Sequence, residues 1–73
     1  MGTVLYKTDG WVVTLEKHRA TWHFFTRNPQ GGGFGSSHCG TLHVATAMAI
    51  HNIPAGAQYE LVLTGRYRGG FTR

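Results

Sequence analysis

Disulfides, acids and long apolar runs are the scarce things in this chain. It holds one cysteine, Cys39, in 73 residues. A single thiol cannot close an internal disulfide, which argues against a disulfide-stapled secreted mini-protein and fits a reducing compartment. Asp and Glu together number 3, against 7 Lys and Arg, for a formal charge of +4 and a pI near 9.9. So few carboxylates leave little for paired acid–base chemistry. No apolar run approaches the ~18 residues of a membrane span, and the start, Met1 to Tyr6, has neither a basic region nor a signal-type apolar run. The expectation is a mature, cytoplasmic, globular chain. At 8.0 kDa it is too short for two domains, so residues 1–73 are expected to form a single α+β domain.

What is present is aromatic and β-branched. Nine aromatic residues, among them Trp11, Trp22, Phe24 and Tyr59, must supply much of the core. A domain this small buries only ~60% of the surface of its unfolded chain. Thr3 to Lys7 reads as a strand, followed by Asp9-Gly10, a hairpin-type pair. Trp11 to Lys17 alternates cleanly, with Trp11, Val13 and Leu15 on one face and Val12, Thr14 and Glu16 on the other. After a polar connection, Thr21 to Arg27 places Trp22 and Phe24 opposite His23, Phe25 and Arg27. Residues 28–40 are Gly-rich and aperiodic, and read as a long loop. Thr41 to His51 is the helix candidate, capped by Thr41 and stopped by Pro54 and Gly56. Leu42, Ala45, Met48, Ala49 and Ile53 keep helical spacing, and Val44, Ala47 and Ile50 make the remaining face apolar as well. Such a helix is expected to be largely buried, or to bury its second face against another chain. Gln58 to Thr64 is a fourth strand, and residues 66–73 form a basic C-terminal segment, either an edge strand or a tail.

The expected architecture is an antiparallel three-stranded meander, one helix and a fourth strand, β-β-β-α-β, with the helix packed on one sheet face. An eleven-residue helix, about 17 Å long, covers one face of a four-stranded sheet and not both. Val12, Thr14, Glu16, His23, Phe25, Arg27, Val62 and Thr64 would then form a half-apolar outer face suited to a partner.

This order resembles the first half of the ribonuclease H fold. Val4-Leu5-Tyr6-Lys7-Thr8-Asp9-Gly10 is similar to that family's first strand and its first catalytic Asp. The HicB antitoxins use a trimmed version of the same order, with a Gly-x-Thr-Leu stretch opening an alanine-rich helix. Gly40-Thr41-Leu42 with Ala45, Ala47 and Ala49 is similar. The resemblance implies a scaffold that binds rather than cuts. The family's further metal-binding acids have no counterparts, because the helix carries no Glu and the fourth strand ends in Thr64-Gly65-Arg66. Asp9 by itself cannot hold two magnesium ions.

The other motifs fall short of chemistry. Gly31-Gly32-Gly33-Phe34-Gly35-Ser36-Ser37 lacks the Lys-Ser/Thr of a phosphate loop, and His38 stands where a third glycine would. His38, Cys39, His43 and His51 do not have the paired spacings of a zinc site. Cys39 has no oriented base among them. No metal and no cofactor is expected. Arg66-Tyr67-Arg68-Gly69-Gly70-Phe71-Thr72-Arg73 alternates guanidinium groups with rings, which suits phosphates and unpaired bases or acidic protein surfaces. Lys17 and Arg19 form a second basic patch.

The sequence therefore points to a non-enzymatic binding protein that inhibits or regulates a nucleic-acid-handling protein or ribonucleoprotein complex by steric occlusion. By type it is similar to small phage-encoded inhibitors such as anti-CRISPR proteins, which act in the host cytoplasm, and to antitoxins. The partner-binding candidates are Trp22, Phe25, Arg27, Phe34, Arg66, Tyr67, Arg68, Phe71 and Arg73. Direct DNA or RNA binding through the arginines is the alternative. A homodimer through the helix face or a sheet edge is compatible with either.

Overall fold

The computed structural model describes residues 9–36 and 39–73. They form β1 (Trp11–His18), β2 (Thr21–Arg27), β3 (Gly33–Ser36), α1 (Leu42–Ile50), β4 (Gln58–Leu63) and β5 (Arg66–Thr72). One mixed sheet runs in the order β3-β2-β1-β4-β5. The β1–β2, β2–β3 and β4–β5 pairs are antiparallel, whereas β1 and β4 are parallel, with Trp11 beside Tyr59 and Leu15 beside Leu63. The expected strand at Thr3 to Lys7 lies outside the described residues, so of the hairpin expected at Asp9-Gly10 only the second arm, β1, is among them. The expected strands at Trp11, Thr21 and Gln58 are present as β1, β2 and β4, and the β-β-β-α-β order runs from β1 to β4 with the unexpected β3 as its third strand, in a sheet of five rather than four. The C-terminal segment resolves to an edge strand, β5.

The clearest departure lies in residues 28–40. Asn28 builds a tight turn there: its Oδ1 accepts from the Gln30 and Gly32 amides, both at 3.0 Å, and its own amide donates to the Gly32 carbonyl at 2.7 Å. The chain then returns as β3. Glycine-rich sequence hid this strand because its outward-facing positions, Gly33 and Gly35, carry no side chain to alternate. They are glycine for a steric reason. A Cβ on Gly35 would stand 2.5 Å from the Phe24 carbonyl oxygen and 3.1 Å from the Phe25 ring, and one on Gly33 2.7 Å from that ring. Phe25 thus covers two strand glycines on the outer face. On the other face Phe34 meets Phe24 edge-on, with centroids 5.9 Å apart.

Beyond β3, the Cys39 amide donates to the Trp22 carbonyl and the Trp22 amide to the Gly40 carbonyl, each at 3.2 Å, prolonging the line of β3 along β2. Thr41 then caps α1, its hydroxyl accepting from the Val44 amide at 3.2 Å. Alanine lets α1 sit close on β2 and β1. Ala45, Ala49 and Ile53 are fully buried with Val13 and Leu15, beside the buried Phe24 and Tyr59, and the buried Thr26 hydroxyl donates to the Ala49 carbonyl at 2.6 Å. That bond satisfies one of the last-turn carbonyls left without a partner at a helix end.

Two expectations for the helix need correction. Leu42 and Met48, expected on its core face, are exposed, as is Val44. Small residues rather than large ones face the sheet, so the helix is buried along a narrow stripe only. Thr64, expected at the end of the fourth strand, instead forms a two-residue turn with Gly65, both at positive φ (50° and 80°).

Candidate outer-face and basic-edge site

Among the described residues α1 is the sole helix, and it lies on one side of the sheet, over β2 and β1. Register assigns side chains to the opposite side. Thr14 pairs with both Phe25 and Val62, Glu16 with His23, Val12 with Arg27 and Glu60, and Val62 with Tyr67. Residues directly opposite share a face, so these side chains form one outer surface. Its aromatic members stand well out of the protein, Phe25 49% and Tyr67 45% exposed. A broad depression of about 460 Å³ lined by His23, Phe24, Phe25, Gly35 and Ser36 lies at its β3 side. Toward the β1–β2 turn the His18 and His23 rings meet at 4.6 Å, and His18 Nε2 lies 3.5 Å from Glu16 Oε1.

The structure divides the candidate residues between the two faces. Trp22 and Phe34 lie on the helix side and pack partly buried against the core. Phe71 is on that side too, stacked on Tyr59 at 6.0 Å, with 43% of its surface exposed. Phe25, Arg27 and Tyr67 are on the outer face.

The basic residues also divide by position. Because β1 and β4 are parallel, the β1–β2 turn and the β4–β5 turn sit at the same end of the sheet. This brings Lys17, Arg19 and Arg66 to one end, where Glu16, Lys17, His18 and Thr64 line a second depression of about 220 Å³. Arg68 sits beside them, at the bulge where the β4–β5 register shifts, so no β4 residue opposes it. Arg27 and Arg73 are at the far end.

Arg73 is engaged within the chain. Its guanidinium donates to the Ile53 carbonyl at 2.6 Å, its amide donates to the Ala57 carbonyl at 2.9 Å, and its carbonyl accepts from the Gly56 amide at 3.1 Å. That structural clamp was not legible from sequence, which showed only a charge in a basic segment.

Asp9 likewise serves the fold. It precedes β1, and its Oδ2 accepts from the Gln58 amide at 2.9 Å. Cys39 is buried, with its thiol 3.8 Å from the Ser36 carbonyl. His38 lies outside the described residues, and His43 and His51 are exposed on and just after α1. Among the described residues no group of three or more His, Cys, Asp or Glu is placed to hold a metal ion, and no helix is long and apolar enough to cross a membrane. In comparisons with known proteins, no family model, curated protein or solved structure matches this chain.

Proposed function

We propose that this chain is a small non-enzymatic binding protein that docks on a larger nucleic-acid-handling protein or ribonucleoprotein complex and blocks it sterically, in the manner of phage-encoded inhibitors such as anti-CRISPR proteins. The observation that carries this reading is the asymmetry of the sheet. The helix occupies one face, while the other presents Phe25 and Tyr67 about half exposed beside a basic end. Aromatic side chains in the middle of a docking surface supply most of its energy, and charges at the rim supply steering and register. Phe25 is the anchor of this surface. Its ring already rests on Gly33 and Gly35, so binding orders little that is not already ordered. Lys17, Arg19, Arg66 and Arg68 form the rim and favour an acidic surface, such as one that ordinarily meets nucleic acid. Host cytoplasm is the compartment this role implies.

A second reading, direct binding of DNA or RNA, is favoured by the same basic end together with Tyr67. The two readings differ in salt dependence. Four phosphate contacts would give a log–log slope of roughly −3 to −4, whereas docking through Phe25 loses far less. The deciding experiment is affinity capture from host lysate with and without nuclease. A protein or complex retained after nuclease supports occlusion. Recovery of nucleic acid only, abolished by Arg66→Ala with Arg68→Ala, overturns it in favour of the second reading.

A further inference from the structure

The ten charged residues are distributed unevenly. Between Arg27 and Glu60 the sequence holds no Lys, Arg, Asp or Glu. On the β3 flank of the sheet this uncharged stretch supplies the edge strand β3 and the 39–40 segment that prolongs its line, with α1 over the neighbouring β2 and β1, while its last residues lead into β4. Two features there are unusual for a surface. The first is the edge itself. The opposite edge, β5, carries Arg66 and Arg68 and a register-shifting bulge, both of which hinder strand addition. On β3, Gly33-Phe34-Gly35-Ser36 carries no charge, no proline and no bulge, and among the described residues no strand lies beyond it, so its outward N–H and C=O groups are a template for another strand. The second is α1, which exposes Val44 and Met48 side by side, at 43% each.

We infer that this flank is the interface of a homodimer in which β3 pairs antiparallel with β3 of a second copy about a two-fold axis, with the exposed side of α1 completing the contact. Charge selects the occupant. Two chains of +4 repel wherever their cations face each other, and β3 and α1 themselves carry no Lys or Arg. An acidic partner would instead be drawn to the basic end across the sheet. Interfaces between copies are depleted of charge at their centre and are self-complementary about the axis. Same-face pairing allows Phe34 to stand opposite its own counterpart, extending the Phe24–Phe34 contact from one core into the next. Area explains why the helix takes part: a stable dimer buries about 800 Å² per copy, roughly a sixth of this chain's 4966 Å², which four strand residues cannot supply. The inference does not depend on what the outer face binds, since that face and the β5 edge lie away from β3.

Sedimentation equilibrium of the purified chain, joined to amide hydrogen exchange at low and high concentration, tests it. The expected mass rises toward twice 8.0 kDa, and the amides of residues 33–36 gain protection as it does. Val44→Lys with Met48→Lys weakens association at least tenfold, about 1.4 kcal/mol, while Arg66→Glu with Arg68→Glu leaves it unweakened. A mass of one chain throughout overturns the proposal. So does a dimer whose 33–36 amides exchange as fast as in the monomer, or one dissolved by the Arg66 and Arg68 substitutions. The exchange readout needs no variant, so misfolding of a variant does not remove the test.

Discussion

Thr26 and Thr64 show how single hydroxyls and single dihedrals bear on so small a fold. Thr26 is fully buried and ties the strand to the end of α1 through the Ala49 carbonyl. Thr26→Val keeps the volume and removes the donor, leaving a buried carbonyl unsatisfied. A loss of about 1–3 kcal/mol follows, read as a lower thermal midpoint, and Thr26→Ser retains most of the stability. Thr64 carries the opposite sign. A β-branched residue at φ 50° is strained, while its amide must still donate to the Leu15 carbonyl at 2.7 Å. Thr64→Asn keeps that amide and suits the turn with Gly65, so chemical denaturation is expected to show a gain of about 1 kcal/mol. An unchanged or lower midpoint would show that no strain is stored there. Neither role was legible in the sequence, where Thr26 reads as an ordinary strand residue and Thr64 as the last of a strand.

At the scale of elements, legibility followed side-chain alternation. β1 and β2 were readable because Val13, Leu15 and Phe24 alternate with polar or exposed neighbours, and α1 because Thr41 caps a run closed by Pro54. β3 was not, because Gly33 and Gly35 erase the alternation, and the side chain that fills their place, Phe25, belongs to another strand. The face of α1 was misjudged because hydrophobicity favours Leu42 and Met48 over Ala45 and Ala49, whereas close approach to the sheet favours alanine. The same geometry predicts that Gly35→Ala, harmless in an open loop, destabilises this protein by more than about 1 kcal/mol. The added methyl meets the Phe24 carbonyl oxygen, a backbone atom that cannot move aside without opening the β2–β3 pairing. Faster hydrogen exchange in residues 33–36 of that variant would locate the damage. A variant as stable as the parent would contradict the packing of β3.

At the scale of the whole molecule, the sheet divides labour. One face carries the helix and the core beside the uncharged β3 edge. The other carries exposed Phe25 and Tyr67, and cations collect at the end shared by the β1–β2 and β4–β5 turns. Strand order could not be read from sequence, because the parallel β1–β4 pairing is made across 39 intervening residues, Arg19 to Ala57, and that pairing is what brings Lys17, Arg19 and Arg66 to a common end. The candidate site was therefore legible as residue types and not as an arrangement: Trp22 and Phe34 went to the core side, Arg73 to a clamp, and Phe25 and Tyr67 to the outer face. The division is tested most directly by quantitative capture from nuclease-treated host lysate with three baits: the parent chain, Phe25→Ala on the outer face, and His51→Ala at the far end of α1, all shown to be folded. The account predicts that the protein captured by the parent is lost at least tenfold with Phe25→Ala and retained with His51→Ala. Equal capture by the parent and Phe25→Ala would contradict it.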